Sequence, residues 1–110
     1  MQFTITFYDE ALEAQVLALP KTLLARYLSL ADRMVISGPH LGEPHTKAMG
    51  DGLFEMRLKG AEGIARVLYC TLIGRRIVVL HSFIKKTDKT PRQDLALSRK
   101  RLKEIKDADA

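Results

Sequence analysis

Three strand-like segments follow one another in the second half of the chain with only short turns between them. Residues 53–59 alternate apolar and polar side chains, whereas residues 64–73 and 77–84 are almost wholly apolar. Glycine-containing turns separate them at residues 60–63 and 74–75. Segments joined this closely favour antiparallel pairing between neighbours. The pattern therefore predicts a meander whose central strands are covered on both faces, or on one face and by a bound partner.

The first half of the chain predicts a strand followed by two helices. Phe3, Ile5 and Phe7 alternate with threonines, which is typical of a half-buried strand. Apolar residues then recur at helical spacing before and after residues 19–20, where a proline favours the start of a second helix. The Gly-Pro pair at residues 38–39 is a usual stop signal. We expect these two helices to form a hairpin.

The remaining segments predict a long loop and a final helix. Residues 38–52 hold four glycines and two prolines, which indicates a loop. Residues 90–93, Thr-Pro-Arg-Gln, form a capping pattern, with Thr90 as the N-cap of the helix that follows. The predicted order is β-α-α-β-β-β-α. This order indicates one α+β domain over residues 1–110, with helices packed on a small sheet.

The composition excludes several classes of protein. The chain has 110 residues, enough for one modest core, and its single cysteine, Cys70, has no internal disulfide partner. No apolar stretch approaches the roughly 20 residues needed to span a bilayer. The N-terminus shows no basic region or cleavage site of a secretory signal. These features favour a cytoplasmic protein without a membrane partner.

Positive charge is concentrated late in the chain. Residues 1–54 carry four Lys or Arg against six Asp or Glu, whereas residues 85–106 carry nine against three. The net charge is +5 at pH 7. Such asymmetry indicates a polyanionic partner, most often nucleic acid, although a solvated basic surface fits the charge equally well.

Several cations interrupt the predicted strands and could form one basic concave face of the sheet. They are Arg57, Lys59, Arg66, His81 and the pair Lys85 and Lys86. Buried charges are costly unless they are paired or line a concavity. A basic concavity could bind RNA phosphates or cleave RNA by attack of a ribose 2′-hydroxyl, in which His81 or a lysine could move a proton. The alternative is that Glu55 pairs with Arg57 or Arg66 in purely structural ion pairs.

Other chemistries lack their signals in this sequence. No phosphate-binding or dinucleotide-binding glycine motif is present. His40 and His45 lie in the loop without a cysteine pair or acidic cluster at ligand spacing, so we expect no metal and no other cofactor. Ser82 follows His81, but no second histidine or positioned aspartate completes a catalytic triad.

Two sequence patterns resemble the phage-derived, HigB-type branch of the RelE/ParE-like toxins. One is Gly-Leu-Phe-Glu-Met-Arg at residues 52–57, and the other runs from His81 to Pro91 and includes Phe-Ile-Lys-Lys-Thr-Asp-Lys-Thr-Pro. The resemblance covers almost the whole chain and implies a RelE-like fold, which has a helical hairpin and a curved antiparallel sheet. It further implies a toxin of a type II toxin–antitoxin pair. Such toxins commonly cut ribosome-bound mRNA without metal, and a small helix-turn-helix antitoxin usually binds them.

The resemblance, together with the basic strand residues and the positive charge of the second half of the chain, suggests site residues. The expected catalytic residues are Arg57, Arg66, His81 and Lys85. The expected RNA-binding residues are Lys59, Lys86, Lys89 and Arg92. Many relatives carry a catalytic tyrosine or histidine in a further C-terminal strand or tail, whereas no Tyr or His follows His81 here. The general base therefore stays open between His81, a lysine and the surroundings of the substrate on the ribosome.

Two other functions are compatible with the same residues. A ParE-like member of this fold would inhibit DNA gyrase by binding it. A non-catalytic nucleic-acid-binding domain would use its basic residues as interchangeable charges, and its affinity would fall smoothly with salt.

Overall fold

A computed structural model describes residues 2–85 and 89–109 of the chain. Five strands and three helices form an α+β fold, which confirms the predicted fold class. No helix in the described ranges is both long and apolar enough to cross a membrane. In chain order the elements are β1 (Thr4–Phe7), α1 (Glu10–Leu17), α2 (Lys21–Ser37), β2 (Thr46–Gly50), β3 (Leu53–Gly60), β4 (Gly63–Leu72), β5 (Arg76–Lys85) and α3 (Arg92–Asp109).

The strands form one mixed sheet in the order β1-β5-β4-β3-β2. Strands β2 to β5 are antiparallel, as the turns predict, whereas β1 lies parallel to β5 at one edge. Strand β2 occupies the other edge, within the segment predicted to be a loop, so that part of the loop prediction is wrong. Its residues are mostly exposed and show no strict alternation, because pairing with β3 rather than burial of a face holds this strand in place.

The helices cover the sheet on both faces. Helices α1 and α2 pack on one face, where Tyr69 of β4 is fully buried and donates a hydrogen bond of 2.6 Å from its hydroxyl to the Pro39 carbonyl. Helix α3 packs on the opposite face through a thin apolar stripe that includes Leu102. Asp9 caps α1, since its carboxylate accepts a hydrogen bond of 2.8 Å from the backbone N–H of Leu12.

A bulge in β5 changes which side chains face α3. His81 pairs with Leu68 and Val79 pairs with Tyr69, so Leu80 is the extra residue. Without the bulge, alternation would place His81 on the same face as Val79, against α1 and α2. The bulge instead directs His81, and the residues two and four positions after it, to the α3 face.

Two buried tyrosine hydroxyls and one buried cysteine thiol make the fold sensitive to alkaline pH. Burial raises the pKa of Tyr27 and Tyr69 to about 12 and that of Cys70 to about 11. The unfolded chain releases these protons at lower pH than the folded chain, so folding stability is complete below about pH 8 and falls as pH rises toward about 12. We expect urea unfolding to show a lower free energy of unfolding at about pH 10.5 than at about pH 8. The Tyr69→Phe variant should lose less stability over this interval than the wild-type chain, and an equal loss would contradict the assignment.

Candidate functional site

A cavity of about 360 Å³ lies beside the ends of the three central strands. Its wall combines side chains from α2, from the segment before β2 and from three neighbouring strands. The members with polar chemistry are Arg26, His45, Arg57, Lys59, Arg66 and Lys85. Five of these six side chains are Lys or Arg, so the cavity attracts anions.

The sheet register brings the strand cations together. The tight turn between Gly60 and Gly63 sets β3 against β4 so that Arg57 lies directly opposite Arg66. On β5, Phe83 pairs with Arg66. Lys85 lies two residues after Phe83 and therefore on the same face of the sheet as Arg66. The structure thus places the predicted residues Arg57, Lys59, Arg66 and Lys85 around one cavity, as a basic concave face requires.

Glu55 is the buried counter-ion of the two arginines. Its side chain is 2% exposed, and Oε1 lies 3.4 Å from Nε of Arg57 and 3.4 Å from Nε of Arg66. Both ion pairs offered as the structural alternative are therefore present. They coexist with the cavity, because both arginines also line it. One carboxylate between two opposed guanidinium groups offsets part of their mutual repulsion.

Arg66 is the most deeply buried cation of the cavity, and its side chain is 11% exposed. Burial is the main cause of its lowered pKa, which the charge of Arg57 lowers further and that of Glu55 opposes. Its Nε–H lies within ion-pair distance of Glu55 but makes no hydrogen bond with the described residues. A buried donor without a hydrogen-bond acceptor is costly, and the nearby charge of Glu55 compensates part of that cost.

The connection before α3 is tied to the same carboxylate. The Thr90 hydroxyl donates a hydrogen bond of 2.5 Å to Oε2 of Glu55. The sequence predicts this threonine as the N-cap of the last helix, but α3 begins at Arg92 and the hydroxyl serves Glu55 instead. The cap prediction is wrong because α3 starts at Arg92, so that Pro91 directly precedes the helix and Thr90 lies one residue farther from it.

The other predicted site residues lie elsewhere. His81 does not line the cavity: its Nε2 lies 2.6 Å from Oδ1 of Asp94 on α3, and its ring stacks on Phe83 at 5.8 Å between centroids. Lys89 and Arg92 are exposed near the start of α3 and do not line the cavity either. The prediction for Lys86 falls outside the described residues.

Sequence reasoning missed Arg26 as a site residue and considered His45 only as a metal ligand. Arg26 reaches the cavity because α2 begins against the turn between β3 and β4. There Thr22, one turn before Arg26, contacts Glu62, and a Cβ on Gly60 would come within 3.2 Å of the Leu23 nitrogen. His45 reaches it because its carbonyl accepts a hydrogen bond from the Arg57 N–H. Both placements depend on tertiary packing, for which the sequence carries no local signal.

Metal ligands are not grouped in the described part of the chain. No three His, Cys, Asp or Glu side chains within residues 2–85 and 89–109 are close enough together to hold a metal ion. The polar groups that line the cavity are guanidinium, ammonium and imidazole groups.

This chain belongs to the Gp49-like family of phage-derived proteins. The family model described as phage derived protein Gp49-like (DUF891) matches residues 14–103, which include the whole cavity. No curated protein is significantly similar to the chain in sequence.

Solved structures that share the fold include two RelE proteins. A mutant of the E. coli toxin RelE in the free state superposes with a TM-score of 0.66 and 14% identity, covering 93% of this chain and 99% of that one. The archaeal RelE in its complex with RelB from Pyrococcus horikoshii OT3 gives a TM-score of 0.56 and 19% identity, with coverage of 78% and 98%. The chain therefore has the RelE fold.

Proposed function

We propose that this chain is the toxin of a type II toxin–antitoxin pair, of the HigB-type branch, and that it cleaves ribosome-bound mRNA in the cytoplasm. The observation that carries the proposal is the convergence of Arg57, Arg66 and Lys85 from three adjacent strands into one cavity. The RelE fold and the membership in a phage-derived family support it.

The cavity suits a reaction in which charge builds up on a phosphate. When a ribose 2′-hydroxyl attacks the adjacent phosphorus, negative charge increases on the phosphate oxygens and then on the leaving 5′-oxygen. Arginine is suited to this task because its fork of N–H donors binds two oxygens and it stays charged. In this proposal Arg57 and Arg66 hold the phosphate, while Lys59 and Lys85 stabilise the charge around it. None of these steps needs a metal ion.

A small antitoxin and the ribosome are the proposed partners. One similar structure is a complex of RelE with RelB, which supports an antitoxin for this chain as well. We infer a helix-turn-helix antitoxin from the resemblance to the HigB-type branch. Lys89 and Arg92 are exposed cations outside the cavity and are proposed to contact RNA that extends beyond the cleavage point.

Expression of the chain alone should arrest growth, and cleavage of ribosome-bound mRNA should be detectable by primer extension. The Lys85→Ala variant should cleave about 100-fold more slowly, because one cation that stabilises the developing charge is removed. Lys100→Ala is the matched control, since Lys100 is an exposed lysine of α3 outside the cavity and its loss should leave the rate unchanged.

Three other results would contradict the proposal. Intact mRNA together with inhibited DNA supercoiling would assign the chain to gyrase inhibition. Small additive effects of every lysine, with affinity that falls smoothly with salt, would indicate a non-catalytic nucleic-acid-binding domain. Equal effects of Lys85→Ala and Lys100→Ala would exclude a special role for the cavity.

A further inference from the structure

The three histidines of the chain have different surroundings. His40 packs edge-on against Phe54 at 4.6 Å between ring centroids. His81 is bound to Asp94 on the surface that α3 covers. The ring of His45 makes no hydrogen bond, ion pair or ring contact with any described residue, and it lines the basic cavity.

The backbone fixes the position of His45 while its ring stays unpartnered. The His45 N–H donates to the Gly42 carbonyl at 3.0 Å, and the His45 carbonyl accepts from the Arg57 N–H at 2.8 Å. The second bond attaches His45 to β3 beside an arginine that lines the cavity. A half-buried imidazole held in this way is placed to meet a bound molecule.

The other side chains of the cavity are poor proton acceptors. A guanidinium does not lose its proton in proteins, and an ammonium group has no acceptor. Glu55 is buried, and Arg57, Arg66 and Thr90 occupy its carboxylate. Imidazole exchanges protons between about pH 5 and 8, and its neutral form has a free lone pair. The charged groups around His45 are Arg26 of α2, Arg57 and Lys59 of β3, Arg66 of β4, Lys85 of β5 and Glu43, which pairs with Arg57.

We propose that His45 is the catalytic base of this chain, an assignment that rests on the proposed RNA cleavage. A ring nitrogen of His45 takes the proton of the ribose 2′-hydroxyl, and the 2′-oxygen forms a bond to phosphorus. The bond from phosphorus to the 5′-oxygen breaks, which leaves a 2′,3′-cyclic phosphate. The 5′-oxygen departs with the bonding electron pair and takes a proton from water, and the imidazolium returns its proton to the resulting hydroxide.

The test compares His45→Gln with the matched variant His40→Gln in single-turnover cleavage of ribosome-bound mRNA between about pH 5.5 and 9. Glutamine keeps the approximate size and polarity of histidine but does not titrate in this range. We expect His45→Gln to reduce the rate by about 10² to 10⁴ while the affinity for the ribosome stays within about threefold. The acidic limb of the rate–pH profile should disappear in His45→Gln and persist in His40→Gln.

Several outcomes would overturn the assignment. Wild-type cleavage by His45→Gln, a rate loss that matches a loss of affinity, or an unchanged acidic limb would each exclude His45 as the base. His45→Asn provides a second non-titrating variant and is expected to behave like His45→Gln. Absence of cleavage by the wild-type chain would reject the proposed function itself, whereas cleavage by wild type and His45→Gln alike would reject only this assignment.

Discussion

The Arg66→Ala variant is expected to cleave ribosome-bound mRNA about 10² to 10³ times more slowly than the wild-type chain. Arg66 is buried at the cavity wall, and its Nε–H has no hydrogen-bond partner among the described residues. A preorganised donor with little access to water stabilises developing charge more strongly than an exposed one. Arg66→Lys should recover little of the rate, because a lysine cannot reproduce the bidentate fork.

Two comparisons separate this effect from general damage. Arg33→Ala removes an exposed arginine of α2 that does not line the cavity, and it should leave the cleavage rate unchanged. Urea unfolding of Arg66→Ala reports how much of the protein remains folded under the assay conditions. A folded Arg66→Ala protein that cleaves within about threefold of wild type would disprove the role given to this side chain.

The Glu55→Ala variant is expected to lower the free energy of unfolding by about 3 to 5 kcal/mol. The substitution leaves Arg66 buried without its counter-ion and leaves Arg57 opposite a like charge. It also removes the acceptor of the Thr90 hydroxyl. Denaturant titration should show the loss as a lower midpoint at a nearly unchanged slope.

A double variant distinguishes stability from activity at this network. Replacing both partners, as in Glu55→Leu with Arg66→Met, removes the unpaired charge and should regain much of the stability that Glu55→Ala loses. It should nevertheless remain as inactive as Arg66→Ala, since the phosphate-binding cation is gone. Recovery of cleavage together with stability would mean that the Glu55–Arg66 pair is only structural.

The sequence predicts the centre of this fold better than its edges. Periodicity and glycine turns determine β3, β4 and β5, and the turn length places Arg57 opposite Arg66. Strand β2 was missed because an exposed edge strand needs no apolar alternation. The parallel pairing of β1 with β5 joins residues more than 70 positions apart, and no local pattern encodes such a contact.

The candidate site shows the same limit. Arg57, Lys59, Arg66 and Lys85 were identified because charges inside strands stand out in the sequence. His81 was identified for the same reason, but its ring contacts Asp94 of α3 and does not line the cavity. His45 carries no comparable signal, since a histidine in a polar loop segment is unremarkable until the chain folds around the cavity.

The pairing of the first strand with the last has a consequence during synthesis. Thr4 lies beside Arg76 and Phe7 beside Val79, so β1 has no neighbour in the sheet until most of the chain has been translated. Lys85, which completes the cavity, is made later still. Contacts between such distant residues slow folding. The nascent chain therefore has no assembled cavity until translation has passed residue 85.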